Sequence, residues 1–207
     1  MNIWISHTRH PGIAPAENLL RGSHAVTVGE DSLDLRDPDA VEPCLAGVDA
    51  IVHPAVISGR GQSDEDILDH ASRGAYAILD AAVRAGVRRA VLISTLSLFD
   101  DYPDSYVIEE SWQPRPGADA LSLAPRMAEI VFREYARQGP IETVCLRFGE
   151  IDADDGTPGS LAADAIQAAC SKTLSPGAYR WQVYHVADSS RFRMSTARSA
   201  LGLEEEN

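Results

Sequence analysis

The residues best placed to do chemistry lie near the start of the chain. His7, Arg9 and His10 fall in one stretch, Ser6-His7-Thr8-Arg9-His10-Pro11-Gly12, where two imidazoles and a guanidinium could grip a small anion. His7-x-x-His10 is also the spacing of half a zinc site. No cysteine or acidic residue lies near it in sequence, and the pair sits in a Pro-Gly loop, so no metal is expected. Asp152, Asp154 and Asp155 offer oxygens to a hard cation, but a Gly-Thr-Pro-Gly turn follows them and the segment reads as a solvated loop. Cys44, Cys145 and Cys170 are odd in number, far apart and without a CxxC pair. They read as reduced, mostly buried thiols of a cytoplasmic protein.

Composition limits what such groups could act on. The 207 residues carry 31 acidic and 18 basic side chains, a net charge of −13. Nucleic-acid and anionic-membrane surfaces need clustered Lys and Arg, so neither partner is expected. A hydrophobic fraction of 44% is that of a globular protein. No apolar run approaches the roughly 20 residues needed to cross a bilayer. Met1-Asn2-Ile3-Trp4-Ile5-Ser6 has neither a basic leader nor a long apolar stretch, so no secretory signal is expected.

The elements that must position these residues alternate in type. Strands are predicted at Ile3–Ile5, Ala25–Val28, Leu33–Leu35 (short), Ala50–His53, Ala90–Thr95, Thr143–Phe148 and Trp181–Val186. Helices are predicted at Pro15–Arg21, Pro38–Ala46, Asp64–Ala85, Arg126–Gln138 and Ala162–Cys170, several stopped by a glycine. In the fourth of these, Met127, Ile130, Val131 and Tyr135 mark the apolar face, and the terminal Glu204–Asn207 is expected to fray. Strand–helix alternation with buried strands gives an α/β fold, a Rossmann-like doubly wound parallel sheet with helices on both faces. Residues 1–150 form the Rossmann-like domain, and 151–207 a reduced extension packed on it. Ligands then sit beyond the carboxyl ends of the strands, in loops that begin at Ser6, Gly29, Asp34, Pro54, Thr95 and Phe148.

Five segments, in order, resemble the extended short-chain dehydrogenase/reductase family, its NAD-dependent epimerase/dehydratase group. They are Asp34-Leu35-Arg36-Asp37-Pro38 with Leu45 through Ala55, Gly74 through Ala82, Ala85-Gly86-Val87-Arg88-Arg89 with Ile93-Ser94-Thr95, Leu146-Arg147-Phe148-Gly149, and Arg191-Phe192-Arg193 with Ala197-Arg198 and Leu201-Gly202. The resemblance implies NAD or NADP as cofactor. It places Asp34 on the adenine amine, Glu30 on the ribose hydroxyls and the main chain at Ala55 along the diphosphate. Leu35, Pro54, Val56, Ile93 and Phe148 complete the implied cofactor wall, His53 is implied to be a packed core residue, and the Gly59-Arg60-Gly61 bend is implied to lie near substrate. Thr95 falls on the catalytic Ser/Thr position, where the family pairs it with a Tyr and a Lys for proton transfer as hydride leaves.

The sequence departs from that pattern at both chemical sites. Counting back from Glu129 puts Pro125 at the Lys position and Leu121 at the Tyr position, and a shift of one residue offers Arg126 and Ser122 instead. Arginine is a poor substitute for a compact ammonium. Pro125 instead suits the first turn of the helix, with Ser122 as its N-cap. Tyr102 and Tyr106, after Thr95, are the candidates for a relocated phenol. In the first loop, His7 and His10 align with the family's first two glycines and only Gly12 stands for the third, so imidazoles occupy the place of a diphosphate. Only residues 149–207 follow Phe148, too few for the family's substrate lobe. The expectation is a divergent family member without Tyr/Lys catalysis that binds a small molecule or nucleotide and has weak or no dinucleotide affinity. The alternative is an active NAD(P)-dependent oxidoreductase, epimerase or dehydratase with a relocated Tyr. A homodimer is expected through the helices at Asp64–Ala85 and Arg126–Gln138, with Tyr76, Ile130 and Tyr135 on the shared face.

Overall fold

A computed structural model describes residues 1–57, 62–139, 141–173 and 180–204. The Gly59-Arg60-Gly61 bend and the last three residues of the chain lie outside them. In chain order the elements are β1 (Asn2–Ile5), α1 (Ile13–Arg21), β2 (Ala25–Val28), α2 (Pro38–Val41), β3 (Ala50–Pro54), α3 (Asp64–Asp69), α4 (Ala75–Arg84), β4 (Arg89–Thr95), α5 (Ala120–Gln138), β5 (Glu142–Phe148), α6 (Gly159–Ser171), β6 (Trp181–Val186) and α7 (Ser195–Leu201). The six strands form one sheet in the order β2-β1-β3-β4-β5-β6, with every pairing parallel. Connections run outward in both directions from β1 and β3, so the topological switch point lies between their carboxyl ends.

Period-2 alternation sorts each strand between two cores. Ile3, Ile5, Val52, Val91, Ile93, Val144, Leu146 and Phe148 face α1, α6 and α7. Trp4, Ile51, Ala90, Leu92 and Cys145 face α2, α4 and α5. A third, smaller cluster of Leu96, Leu98, Phe99, Ile108 and Ala187 covers the carboxyl end of β4. Residues beyond 150 supply α6 and the edge strand β6. Cys145 and Cys170 are buried, but Cys44 is exposed.

The short strand expected at Leu33–Leu35 is absent. Leu33 N–H donates to Glu30 O and Asp37 N–H to Asp34 O, so two turns close the backbone before a ladder can form. Leu35 is buried in the core all the same, and β2 is left as the sheet edge. The helix expected over Pro38–Ala46 is α2 followed by a 3-10 turn over Glu42–Leu45, which has Pro43 in its opening turn. The helix expected over Asp64–Ala85 is interrupted by a π-turn at His70–Gly74 between α3 and α4.

The helix α5 departs most from its sequence reading. It starts at Ala120 with Asp119, not Ser122, as N-cap: the Asp119 side chain accepts the Ser122 N–H at 3.0 Å. Pro125 therefore sits in the second turn, buried, where its ring withholds the amide that would reach the Leu121 carbonyl. The buried stripe is Ala124, Ala128, Phe132 and Ala136, beside the expected apolar face of Met127, Ile130, Val131 and Tyr135, of which Val131 and Tyr135 are partly buried against the same core. Of those four, Ile130 is exposed and Tyr135 packs edge-on against Tyr76 at 5.4 Å. Spacing alone found the large apolar residues bordering the core face and missed the alanines at its centre.

Candidate functional site

The loop after β1 leads from Ser6 into α1 past the switch point. The close approach of β2 to its base requires Gly29, where a Cβ would stand 2.6 Å from the Ser6 carbonyl oxygen. His7 is buried, and its Nδ1 accepts the Arg9 N–H at 3.1 Å. His10 Nδ1 accepts the Gly12 N–H, also at 3.1 Å. An Nδ1 that accepts is unprotonated, so each neutral ring carries its proton on Nε2. Asp31 lies 3.5 Å from His7 Nε2 and 3.3 Å from Arg9 Nη2. Burial lowers His10 to about 4. His7 is lowered by burial and by Arg9, with Asp31 opposing. Both rings are neutral at pH 7, and the cation the sequence set beside them is held by Asp31. Deeper in, Ser6 Oγ meets His53 Nδ1 at 2.7 Å, and the His53 ring stacks on Phe132, a packed and satisfied histidine. Burial lowers it to about 3, with His7 and His70 adding to the effect.

On the β2 side of this loop a cavity of ≈ 590 Å³ is lined by Trp4, Glu30, Leu33, Asp34 and Cys44, among others. The Asp34 carboxylate is already engaged: it takes the Arg36 N–H at 3.0 Å and Nε–H at 2.9 Å, which hold its pKa below the usual carboxylate value. Pro54 and Ala55 close β3, with Ala55 N–H donating to Ile93 O at 2.8 Å; Val56 is half-buried beyond them. Leu35 and Ile93 are buried side chains of the two cores.

On the other side of the loop, at the ends of β4 and β5, a cleft of ≈ 410 Å³ is lined by Thr95, Phe148, His10, Asp100, Glu150 and Phe192, among others. The structure thus gathers Thr95, Phe148 and His10 in one place, and Glu30 with Asp34 in another. Thr95 Oγ1 accepts the Ser97 N–H at 3.1 Å and donates to Ser97 Oγ at 3.1 Å, capping a 3-10 turn over Leu96–Phe99. Burial, reinforced by Asp104, raises the Asp100 carboxyl, while Arg191 opposes. Tyr102 does not reach the cleft: its hydroxyl donates to the Gln113 carbonyl at 2.9 Å, and Arg115 lies 4.2 Å over its ring. Tyr106 packs against Trp112 at 5.8 Å. Among the described residues lining the cleft there is no tyrosine and no lysine.

Behind the cleft runs a polar row that the sequence reading did not single out. Ser94, Arg147 and His185 are register partners on β4, β5 and β6, facing Glu129 of α5. Arg147 grips Glu129 in a fork, Nε to Oε1 at 2.7 Å and Nη2 to Oε2 at 2.9 Å, while Ser94 Oγ donates to Oε1 at 2.8 Å. Arg147 Nη1 donates to His185 Nε2 at 3.3 Å. Burial alone would raise the Glu129 carboxyl, but the Arg147 hydrogen bonds and charge, with Ser94 and Arg126, bring it below its ordinary value. The available signal was a polar residue next to the last position of each of three strands. Elsewhere, Asp152 Oδ1 accepts the Gly159 N–H at 2.7 Å and anchors the start of α6. No group of three or more His, Cys, Asp or Glu among the described residues is arranged to hold a metal ion. No described helix is long and apolar enough to cross a membrane.

A sequence model of the NAD dependent epimerase/dehydratase family matches residues 16–192. The chain belongs to that family. Over 119 residues it is 34% identical to a uronate dehydrogenase of Pseudomonas syringae pv. tomato, a match covering 56% of this chain and 42% of that relative. Two solved structures share the fold over 100% of this chain. A short-chain dehydrogenase/reductase superfamily protein from Agrobacterium tumefaciens with bound NAD has a TM-score of 0.80 at 16% identity, with 93% of its chain covered. A glucuronic acid dehydrogenase from Chromohalobacter salexigens has a TM-score of 0.78 at 17% identity, with 84% covered. The family implies NAD(P), and the loop after β1 fits its diphosphate poorly: the Arg9 and Gly12 amides that could donate to phosphate oxygens already donate to imidazoles.

Proposed function

We propose that this chain is a divergent member of the epimerase/dehydratase family that binds a small molecule or nucleotide without the family's Tyr/Lys proton relay. One observation carries the reading: the Thr95 hydroxyl in the cleft is committed to Ser97, and the described lining residues offer neither phenol nor ammonium beside it. A lone hydroxyl cannot both take the substrate proton and pass it on as hydride leaves. Dinucleotide affinity is weak or absent. Assembly is as a homodimer through α4 and α5, where Tyr76 is 55% and Ile130 40% exposed; a monomer mass by light scattering at micromolar concentration contradicts this. Three free cysteines, two of them buried, suit a cytoplasmic setting.

The deciding experiment is turnover with NAD and NADP against uronates and nucleotide sugars, alongside Thr95→Val. No turnover is expected from either protein. Turnover by the wild type that Thr95→Val abolishes, in a variant still folded by circular dichroism, overturns the reading. The second reading, an active NAD(P)-dependent enzyme with a relocated tyrosine, is favoured by the matched uronate dehydrogenase and would then take its place.

A further inference from the structure

The donors that would form a diphosphate cradle at the switch point are largely used within the chain. A helix N-terminus binds phosphate through free amides and the positive end of its dipole. Here the Arg9 amide donates to His7 Nδ1, the Gly12 amide to His10 Nδ1 and the Ile13 amide to the His10 carbonyl at 3.0 Å. Pro15 has no amide hydrogen, so of the four residues from Gly12 to Pro15 at most Ala14 has a donor to offer. Each accepting Nδ1 also turns a lone pair toward the space in which a phosphate oxygen would have to lie. The nearby cation is used as well, since Arg9 and the Nε2 edge of His7 both meet the Asp31 carboxylate. Gly12 is fitted to this arrangement: a Cβ there would stand 3.4 Å from His10 Nδ1 and 3.3 Å from Ile151 Cδ1.

We propose that the loop from Ser6 to Gly12 is self-liganded, with His7 and His10 acting as built-in acceptors in place of a diphosphate and Asp31 as the accompanying internal anion. The contact is autoinhibitory. Two separate cavities flank the loop, ≈ 590 Å³ beside β2 and ≈ 410 Å³ beside Thr95. Glycine at positions 7 and 10 would remove both acceptors and return both amides to solvent. The inference stands apart from the catalytic reading: turnover tests Thr95, whereas binding of the diphosphate group tests this loop.

The test is isothermal titration of the wild type and of the His7→Gly/His10→Gly variant with pyrophosphate and with NAD at pH 7.5. The wild type is expected to show no saturable binding at millimolar ligand. The variant should bind on the order of 100-fold more tightly, because each freed amide contributes about ten-fold toward a charged acceptor. Equal affinity of the two proteins, or a folded variant that still fails to bind, overturns the proposal. If the double variant does not fold, long-range 15N–1H NMR of the wild-type imidazoles decides. Nε2–H tautomers at both His7 and His10, with slow exchange of the Gly12 amide, are expected. An Nδ1–H tautomer at either ring overturns the proposal.

Discussion

The loop after β1 and the Ser94–Arg147–His185 row are built from similar polar side chains, yet different parts of the chain complete them. In the loop the closures are short: His7 and His10 each accept an amide two residues away, and the more distant partner, Asp31, is exposed. In the row, Arg147 reaches Glu129 across 18 residues, Ser94 reaches it across 35, and the joined carboxylate and guanidinium are buried between α5 and the sheet. The local closure occupies amides at the mouth of the site. The long-range closure ties a helix to three strands and bears on stability. Within α5 the same division appears, since Glu129 keeps the structural contact while Leu121 and Pro125 hold the positions at which the family resemblance implies the reacting groups.

This contrast is broken most severely at Arg147. Arg147→Met should strip the buried Glu129 of its forked partner, leave only the less buried Arg126 beside it at 3.2 Å, and cost up to about 3–5 kcal/mol, read from urea unfolding. A loss under about 1 kcal/mol would mean that the row is as dispensable as a surface pair. Acidification should give an intermediate loss. The half-buried His10, lowered to about 4, and the buried His53 and His185, each lowered to about 3, are neutral, desolvation being the chief cause. The unfolded chain takes up protons first, near pH 6.5, so stability from these groups is full above that pH and falls as pH drops toward 4. Glu129, whose pKa is depressed, acts in the same direction below the ordinary carboxylate value. Melting temperatures flat between pH 7 and pH 5 would contradict buried neutral imidazoles. The smallest effect belongs to Thr95→Val, which removes the cap on an exposed Ser97 amide that water can reach. A loss of about 1 kcal/mol or less in thermal unfolding is expected, and a loss several times larger would place Thr95 in the core network instead.

The dinucleotide sharpens the comparison from the other side. Binding at 100 times Kd would stabilise by about 2.7 kcal/mol, several degrees for a chain of this size. With the loop self-liganded, millimolar NAD or NADP should leave the melting temperature unmoved. A clear upward shift would show that the short-range closure opens readily, unlike the long-range one.

Sequence alone determined whatever depends on neighbours a few residues apart. The apolar runs fixed β1, β3, β4, β5 and β6 to within a residue at each end and β2 in full, and their alternation with helices fixed the doubly wound sheet and the loops at its carboxyl edge. The absence of Tyr and Lys at positions 121 and 125 and the histidines at 7 and 10 were equally plain, because position along a motif is a property of the chain. Tertiary structure decided the rest. Leu33–Leu35 has a strand's composition, but the Leu33 amide closes a turn with Glu30 and the Asp34 carbonyl one with Asp37, and no spacing rule weighs that competition. The core stripe of α5 was not told from its apolar flank because Ala124, Ala128 and Ala136 are small, and only the position of the sheet assigns the inner face to them and Phe132. The acceptor role of the two Nδ1 atoms and the fork between Arg147 and Glu129 are matters of distance and direction. A hydrogen bond is made or lost within about an ångström, and residue spacing does not carry that information.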